Sequence, residues 1–129
     1  MAVSSPGSLG LPRARRIKQG RDFARTKAQG KRVVSGCLIA NWVPLSSGAP
    51  SRVGVITGRK VGAAVVRVRA RRLLREAFRL HQPELAQPVD LVLVARRSIV
   101  GKHFSVVERD LLAALRQARL LKERLKAEG

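Results

Sequence analysis

Apolar residues recur at three- and four-residue intervals over Ala64–Leu80 and again from Val107 to Leu125, a helical period in both stretches. On the first, Ala70, Leu73, Leu74, Ala77 and Leu80 fall on one arc of a helix, and Arg71, Arg72, Arg75 and Arg79 on the opposite arc. On the second, Val107, Leu111, Ala114, Leu115, Ala118, Leu121 and Leu125 share a face. Ser105 followed by Glu108 has the form of a capping box, with Ser105 at the N-cap. Val33–Val43, ending at Pro44, Arg52–Thr57 and Pro88–Arg96 are short apolar runs between breakers, and each predicts a strand. The loop Leu45–Ser51 makes a hairpin the simplest join between the first two strands. Gly20–Gly30 predicts a short helix closed by its C-terminal glycine.

The order α-β-β-α-β-α predicts an α+β fold, an α/β sandwich in which helices pack on a mixed sheet. A chain of 129 residues suffices for one such core, so a single domain is expected over 13–129. Met1–Pro12, rich in Ser, Gly and Pro and without charge, predicts a disordered tail. The longest uninterrupted apolar stretch, Leu91–Ala95, is far short of a membrane span, and no apolar core follows a basic start at the N-terminus. The expectation is a cytoplasmic protein with no membrane partner. Cys37 is the only cysteine, which rules out a disulfide within the chain and predicts a buried small hydrophobe.

Charge changes the picture most. The formal net charge is +19, and 16 of those units come from two segments: Arg13–Arg32, with nine basic residues against Asp22, and Arg52–Arg79, with nine against Glu76. A solvated surface would intersperse acids for neutralisation, so these segments predict a polyanionic partner. The helical stretch concentrates the signal, since its outward arc is nearly all Arg, with almost no Glu spaced to pair with it. The planar guanidinium fork binds phosphate through two bonds and stacks on bases, which points to nucleic acid. Gly58-Arg59-Lys60-Val61-Gly62, just before this helix, would let the backbone approach a phosphate between two cations, though it lacks the Gly-Lys-Ser/Thr ending of a P-loop. The basic segments hold no paired carboxylates for metal-assisted hydrolysis, and His81 and His103 stand at no ligand spacing. Of the four aromatics, Phe23 and Trp42 are the candidates for stacking on bases.

The run from Gly54 to Glu76, Gly-Val-Ile-Thr-Gly-Arg-Lys-Val-Gly-Ala-Ala-Val-Val-Arg-Val-Arg-Ala-Arg-Arg-Leu-Leu-Arg-Glu, resembles the signature of the bacterial ribonuclease P protein. That signature has a glycine-bearing strand, a paired-cation turn, and then Ala-Val-x-Arg-Asn-Arg-x-Lys-Arg-x-x-Arg-Glu. Arg16-Ile17-Lys18 with Asp22-Phe23 and Gly30 is similar to the family's first helix, and Leu91–Arg96 to its later strand. Val68 departs from the usual Asn, Arg71 replaces Lys with charge kept, and Lys27, Leu38 and Asn41 stand at positions that are often aromatic.

The resemblance implies a protein without catalytic residues of its own, serving an RNA that cuts precursor tRNA at the 5′ end of the mature sequence with Mg2+ held mainly by that RNA. It implies that Arg59, Lys60, Arg67, Arg69, Arg71, Arg72 and Arg75 bind ribonuclease P RNA. It implies that Phe23, Arg25 and a sheet face represented by Trp42 meet the 5′ leader of precursor tRNA, and that the fold contains a left-handed β-α-β crossover. From composition alone a small structural ribosomal protein stays open beside this reading, ahead of a DNA-binding protein or a protein-only nuclease.

Overall fold

The computed structural model describes Arg16, Ile17, Arg25, Thr26 and residues 30–122. Four strands, β1 (Lys31–Ser35), β2 (Leu38–Pro44), β3 (Arg52–Ile56) and β4 (Val89–Ala95), and two helices, α1 (Ala64–His81) and α2 (Phe104–Gln117), follow in the order β1-β2-β3-α1-β4-α2. The sheet runs β1-β2-β4-β3, antiparallel except for the parallel pair β3 and β4, and α1 supplies the crossover that such a pair needs. The mixed sheet with helices on it agrees with the α+β expectation. Arg25 and Thr26 are helical, and the Gly30 N–H donates to the Thr26 carbonyl at 2.9 Å. The rest of the expected helix Gly20–Gly30 and the expected tail lie outside the described residues.

Period-two alternation decides which strand residues enter the core. Leu38, Ala40 and Trp42 of β2 and Val89, Leu91, Leu93 and Ala95 of β4 are buried on the face that packs against Ala70, Leu74, Ala77 and Phe78 of α1 and Val107, Leu111, Ala114 and Leu115 of α2. Fully burying each of these Leu or Phe side chains stabilises the fold by about 1.5–3 kcal/mol. α1 lies against β3 and α2 against β1 and β2, side by side.

Four expectations are corrected. The run Val33–Val43 is two strands, because the chain reverses at Gly36 and Cys37, with Ser35 registered on Leu38. Gly36 has φ +53°, and a Cβ there would lie 2.2 Å from the Asp110 carboxylate, which itself accepts the Cys37 N–H at 3.0 Å. Only glycine fits this turn against α2. Second, β2 and β3 form no hairpin; β4 lies between them.

Third, the N-cap of α2 is His103, without a side-chain cap bond, and the Glu108 carboxylate turns to His81 instead of closing a capping box. Fourth, α2 stops at Gln117 although the apolar period continues. Arg119 takes φ 62°, its N–H donates to the Arg116 carbonyl, and the Leu120 N–H reaches back to Leu115 at 2.8 Å. These two bonds make a Schellman cap with arginine where glycine is usual. Leu120 is thereby buried, and the chain leaves to pair Leu121 with Leu85.

Candidate nucleic-acid interface

α1 is anchored by its apolar arc and presents arginine outward. Ala70, Leu74, Ala77 and Phe78 are buried, whereas Leu80, expected on the core arc, is 44% exposed, since Phe78 fills the last turn. Arg69 and Arg72 are exposed, and Arg67, Arg71 and Arg75 half-buried. Arg71 Nη1 donates to Thr57 Oγ1 at 2.7 Å, which turns it toward the end of β3. Burial lowers the Arg75 pKa, helped by the nearby charges of Arg16 and Arg71, so three guanidiniums crowd along this flank. A crowded cationic row of this kind gains when an anion joins it. Arg79 is the exception, paired with Glu76 at 2.6 Å. Val65 and Val68 are exposed on the same helix, 76% and 38%, so the residue standing where Asn is usual faces solvent.

Arg59 and Lys60 are exposed on the single 3-10 turn Arg59–Val61, fixed by the buried Val61. The structure thus brings together on α1 and the turn before it all seven cations expected to bind RNA. Arg69 Nη2 also donates to the Lys102 carbonyl at 2.9 Å, tying α1 to the segment after β4.

The residues expected to meet the leader are not together. Phe23 lies outside the described residues. Trp42 is 6% exposed, its ring in the core beside Leu38 and Ala40, with Lys31 Nζ 5.6 Å from the ring centroid. Its position does not suit stacking on a free base. Arg25 is on the other side of the sheet, where its Nη2 donates to Asp90 Oδ2 at 3.1 Å.

Sequence reasoning missed Asp90. It is fully buried, and Arg52, its registered neighbour on β3, donates Nε to Oδ1 at 2.8 Å and Nη2 to Oδ2 at 2.6 Å. One carboxylate therefore holds an arginine ahead of β1 and another on β3. The signal was in the pattern: Asp90 interrupts an apolar strand at the position facing away from Val89 and Leu91, and a carboxylate there needs cations.

The other described carboxylates are engaged as well. His81 bridges Glu84 through Nδ1 at 2.7 Å and Glu108 through Nε2 at 2.6 Å, joining α1 to α2. Asp110 accepts the Cys37 N–H. Burial, with the Asp110 carboxylate beside it, pushes the Cys37 thiol up to about 12, so it stays a protonated small hydrophobe. Among the described residues no group of three His, Cys, Asp or Glu could hold a metal ion.

His81 yields a pH prediction. Burial pulls its pKa down, but the bonds to Glu108 and Glu84 outweigh this and hold it above the ordinary value. For a raised folded pKa, the stabilisation is fully present below about pH 6.5, the unfolded value, and is lost as pH rises through the folded one. Urea midpoints should therefore fall from about pH 6 to about pH 8.5 more in this protein than in His81→Gln; parallel curves would show that the bridge contributes nothing.

The fold and this surface define a basic α+β protein that offers one arginine-rich helix to a polyanion. Residues 11–119 match the family described as Ribonuclease P. The ribonuclease P protein component of Symbiobacterium thermophilum is 35% identical over 111 residues, covering 86% of this chain and 96% of the relative. That of Gluconacetobacter diazotrophicus is 38% identical over 107 residues, covering 82% and 92%. Among solved structures, the RNase P protein of Staphylococcus aureus superposes with a TM-score of 0.75 at 24% identity, over 84% of this chain and 98% of that one, a likeness of fold. The Thermotoga maritima RNase P protein, solved in complex with 1-(4-fluorophenyl)-2-thiourea, gives 0.72 at 25% identity, over 79% and 98%. The chain belongs to the family of bacterial ribonuclease P protein components.

Proposed function

We propose that this protein assembles with a catalytic RNA into ribonuclease P and assists 5′-end maturation of precursor tRNA in the cytoplasm. The observation that carries the proposal is the outward face of α1, where Arg69 and Arg72 are exposed and Arg71 and Arg75 crowd one flank. Together with Arg59, Lys60 and Arg67 they form the surface for the catalytic RNA. The family match favours this reading over a structural ribosomal protein. The described residues contain no helix long and apolar enough to cross a membrane.

Leader binding is assigned to the sheet face opposite the helices, where Arg25 sits on Asp90, with Phe23 as the stacking residue. Trp42 has no part in it. The described protein residues do not fit a magnesium site, because Asp90, Glu76 and Asp110 are held by arginines or backbone and Glu84 and Glu108 by His81. Mg2+ is thus assigned to the RNA, which carries the hydrolysis.

The test is equilibrium binding to ribonuclease P RNA across salt concentrations. With at least five phosphates contacted, at roughly 0.7–0.9 per contact, log affinity should fall against log salt with a slope steeper than about −3.5. A flat response would overturn the electrostatic basis of the proposal.

A further inference from the structure

The C-terminal third has the most balanced charge in the sequence, with +3 from nine cations and six acids after Arg79, and it drew no part in binding. The fold distributes those charges unevenly. Arg96, Arg97 and Lys102 come within seven residues, with no acid between Leu91 and Val107. Among the described residues the acids of this third are engaged elsewhere, Asp90 at the start of β4 with Arg25 and Arg52, Asp110 under the Gly36 turn, and Glu84 and Glu108 on His81.

Topology brings this stretch to the RNA surface. Because β3 and β4 are parallel and adjacent, their C-terminal ends emerge side by side, so the turn after β3 (Arg59–Val61) and the turn after β4 (Arg97–Ile99) pack against each other. Val61 and Ile99 are buried in the core and fix the two turns, leaving Arg59, Lys60, Arg97 and Lys102 exposed. Two bonds extend the edge: Arg69 of α1 donates to the Lys102 carbonyl, and Arg96 Nη1 donates to the Gly36 carbonyl at 3.0 Å. No hydrogen bond or ion pair among the described residues engages the side chain of Arg97 or of Lys102. Val100, between them, is 48% exposed.

We infer that Arg97 and Lys102, on the connection between β4 and α2, form a second phosphate-binding edge for the same catalytic RNA that α1 binds. The inference rests on the α1 reading and extends its surface by one turn. The occupant is the catalytic RNA and not the leader, since the Arg25–Asp90–Arg52 cluster marks the opposite end of β4. Arg96 lies six positions along the chain from Asp90, about 20 Å at roughly 3.3 Å per step. The fixed turns also mean that little order has to be imposed on binding.

The experiment is titration of ribonuclease P RNA across salt with the full chain, the double variant Arg97→Gln/Lys102→Gln, and Arg72→Glu. All three substituted residues are exposed, and circular dichroism checks the fold of each variant. Loss of two contacts should flatten the log–log slope by about 1.4–1.8, with at least roughly tenfold weaker binding at low salt. The ratio of affinities for precursor tRNA with and without a leader should stay unchanged. An unchanged slope in the double variant while Arg72→Glu weakens binding defeats this inference and leaves the α1 reading standing. If Arg72→Glu also leaves binding intact, the α1 reading itself fails. A loss confined to substrates with a leader would reassign the edge to the leader and overturn the inference as stated.

Discussion

Asp90→Ala is expected to lower folding stability by about 3 kcal/mol, toward the lower end of the roughly 3–5 kcal/mol cost of removing one partner from a buried ion pair. The carboxylate is fully buried, but its partners Arg25 and Arg52 are 39% and 29% exposed in their side chains, so both guanidiniums can turn partly into water when it is removed. What cannot be recovered is the link between segments far apart in sequence, since the same carboxylate grips Arg52 of β3 in two bonds and Arg25 in a third. Asp90→Asn retains an acceptor oxygen and should lose less. Denaturant midpoints at constant m-value measure the difference. A loss in Asp90→Ala below about 1 kcal/mol would mean that apolar burial, not this cluster, holds Arg25 and Thr26 against the sheet.

That cluster also marks where sequence reasoning stopped short. α1 was legible because its period is local: each apolar residue lies three or four from the next, and one side of a helix follows directly. The arginine face was legible for the same reason. The pairing of Asp90 with Arg25 spans 65 positions and became visible only once β4 lay between β2 and β3, an order that no local pattern specifies. The turn at Gly36 was concealed by the apolar residues on both sides, though Ser-Gly is a turn pair and an isolated glycine in a strand is a warning. Trp42 was readable and misjudged, because strand parity puts it with Leu38 and Ala40, on the face the helices cover. The end of α2 had no signal, since arginine holds the left-handed position of the cap.

The same separation of local from tertiary information explains the cationic edge. Counted along the sequence, Arg97 and Lys102 belong to the most nearly balanced third of the chain. Placed by parallel strands, they adjoin Arg59, Lys60 and Arg69. Charge patterning in a sequence therefore underestimates a binding surface wherever a crossover brings two turns to one edge, and it overestimates one where arginines are spent internally, as Arg79 is on Glu76 and Arg52 on Asp90.

The protein alone should not cut precursor tRNA, whereas adding it to the catalytic RNA should lower the magnesium concentration needed for cleavage and favour substrates that carry a leader. Two RNAs brought together repel through their phosphates, and either divalent ions or fixed protein cations can offset that repulsion. A chain of charge +19 whose described carboxylates are already engaged supplies the second and, among the described residues, offers no site for the first. The leader preference has a separate origin, in contacts made only when the 5′ extension is present. If a leader base stacks on Phe23, Phe23→Ala should cost about 1–3 kcal/mol, roughly a 5- to 150-fold loss of the preference, and leave binding of the catalytic RNA unchanged. Single-turnover cleavage over a magnesium series, with and without protein, on substrates with long and absent leaders separates the two effects. Identical magnesium profiles would remove the electrostatic role, and an undiminished leader preference in Phe23→Ala would leave the contact to Arg25 and its neighbours on that face of the sheet.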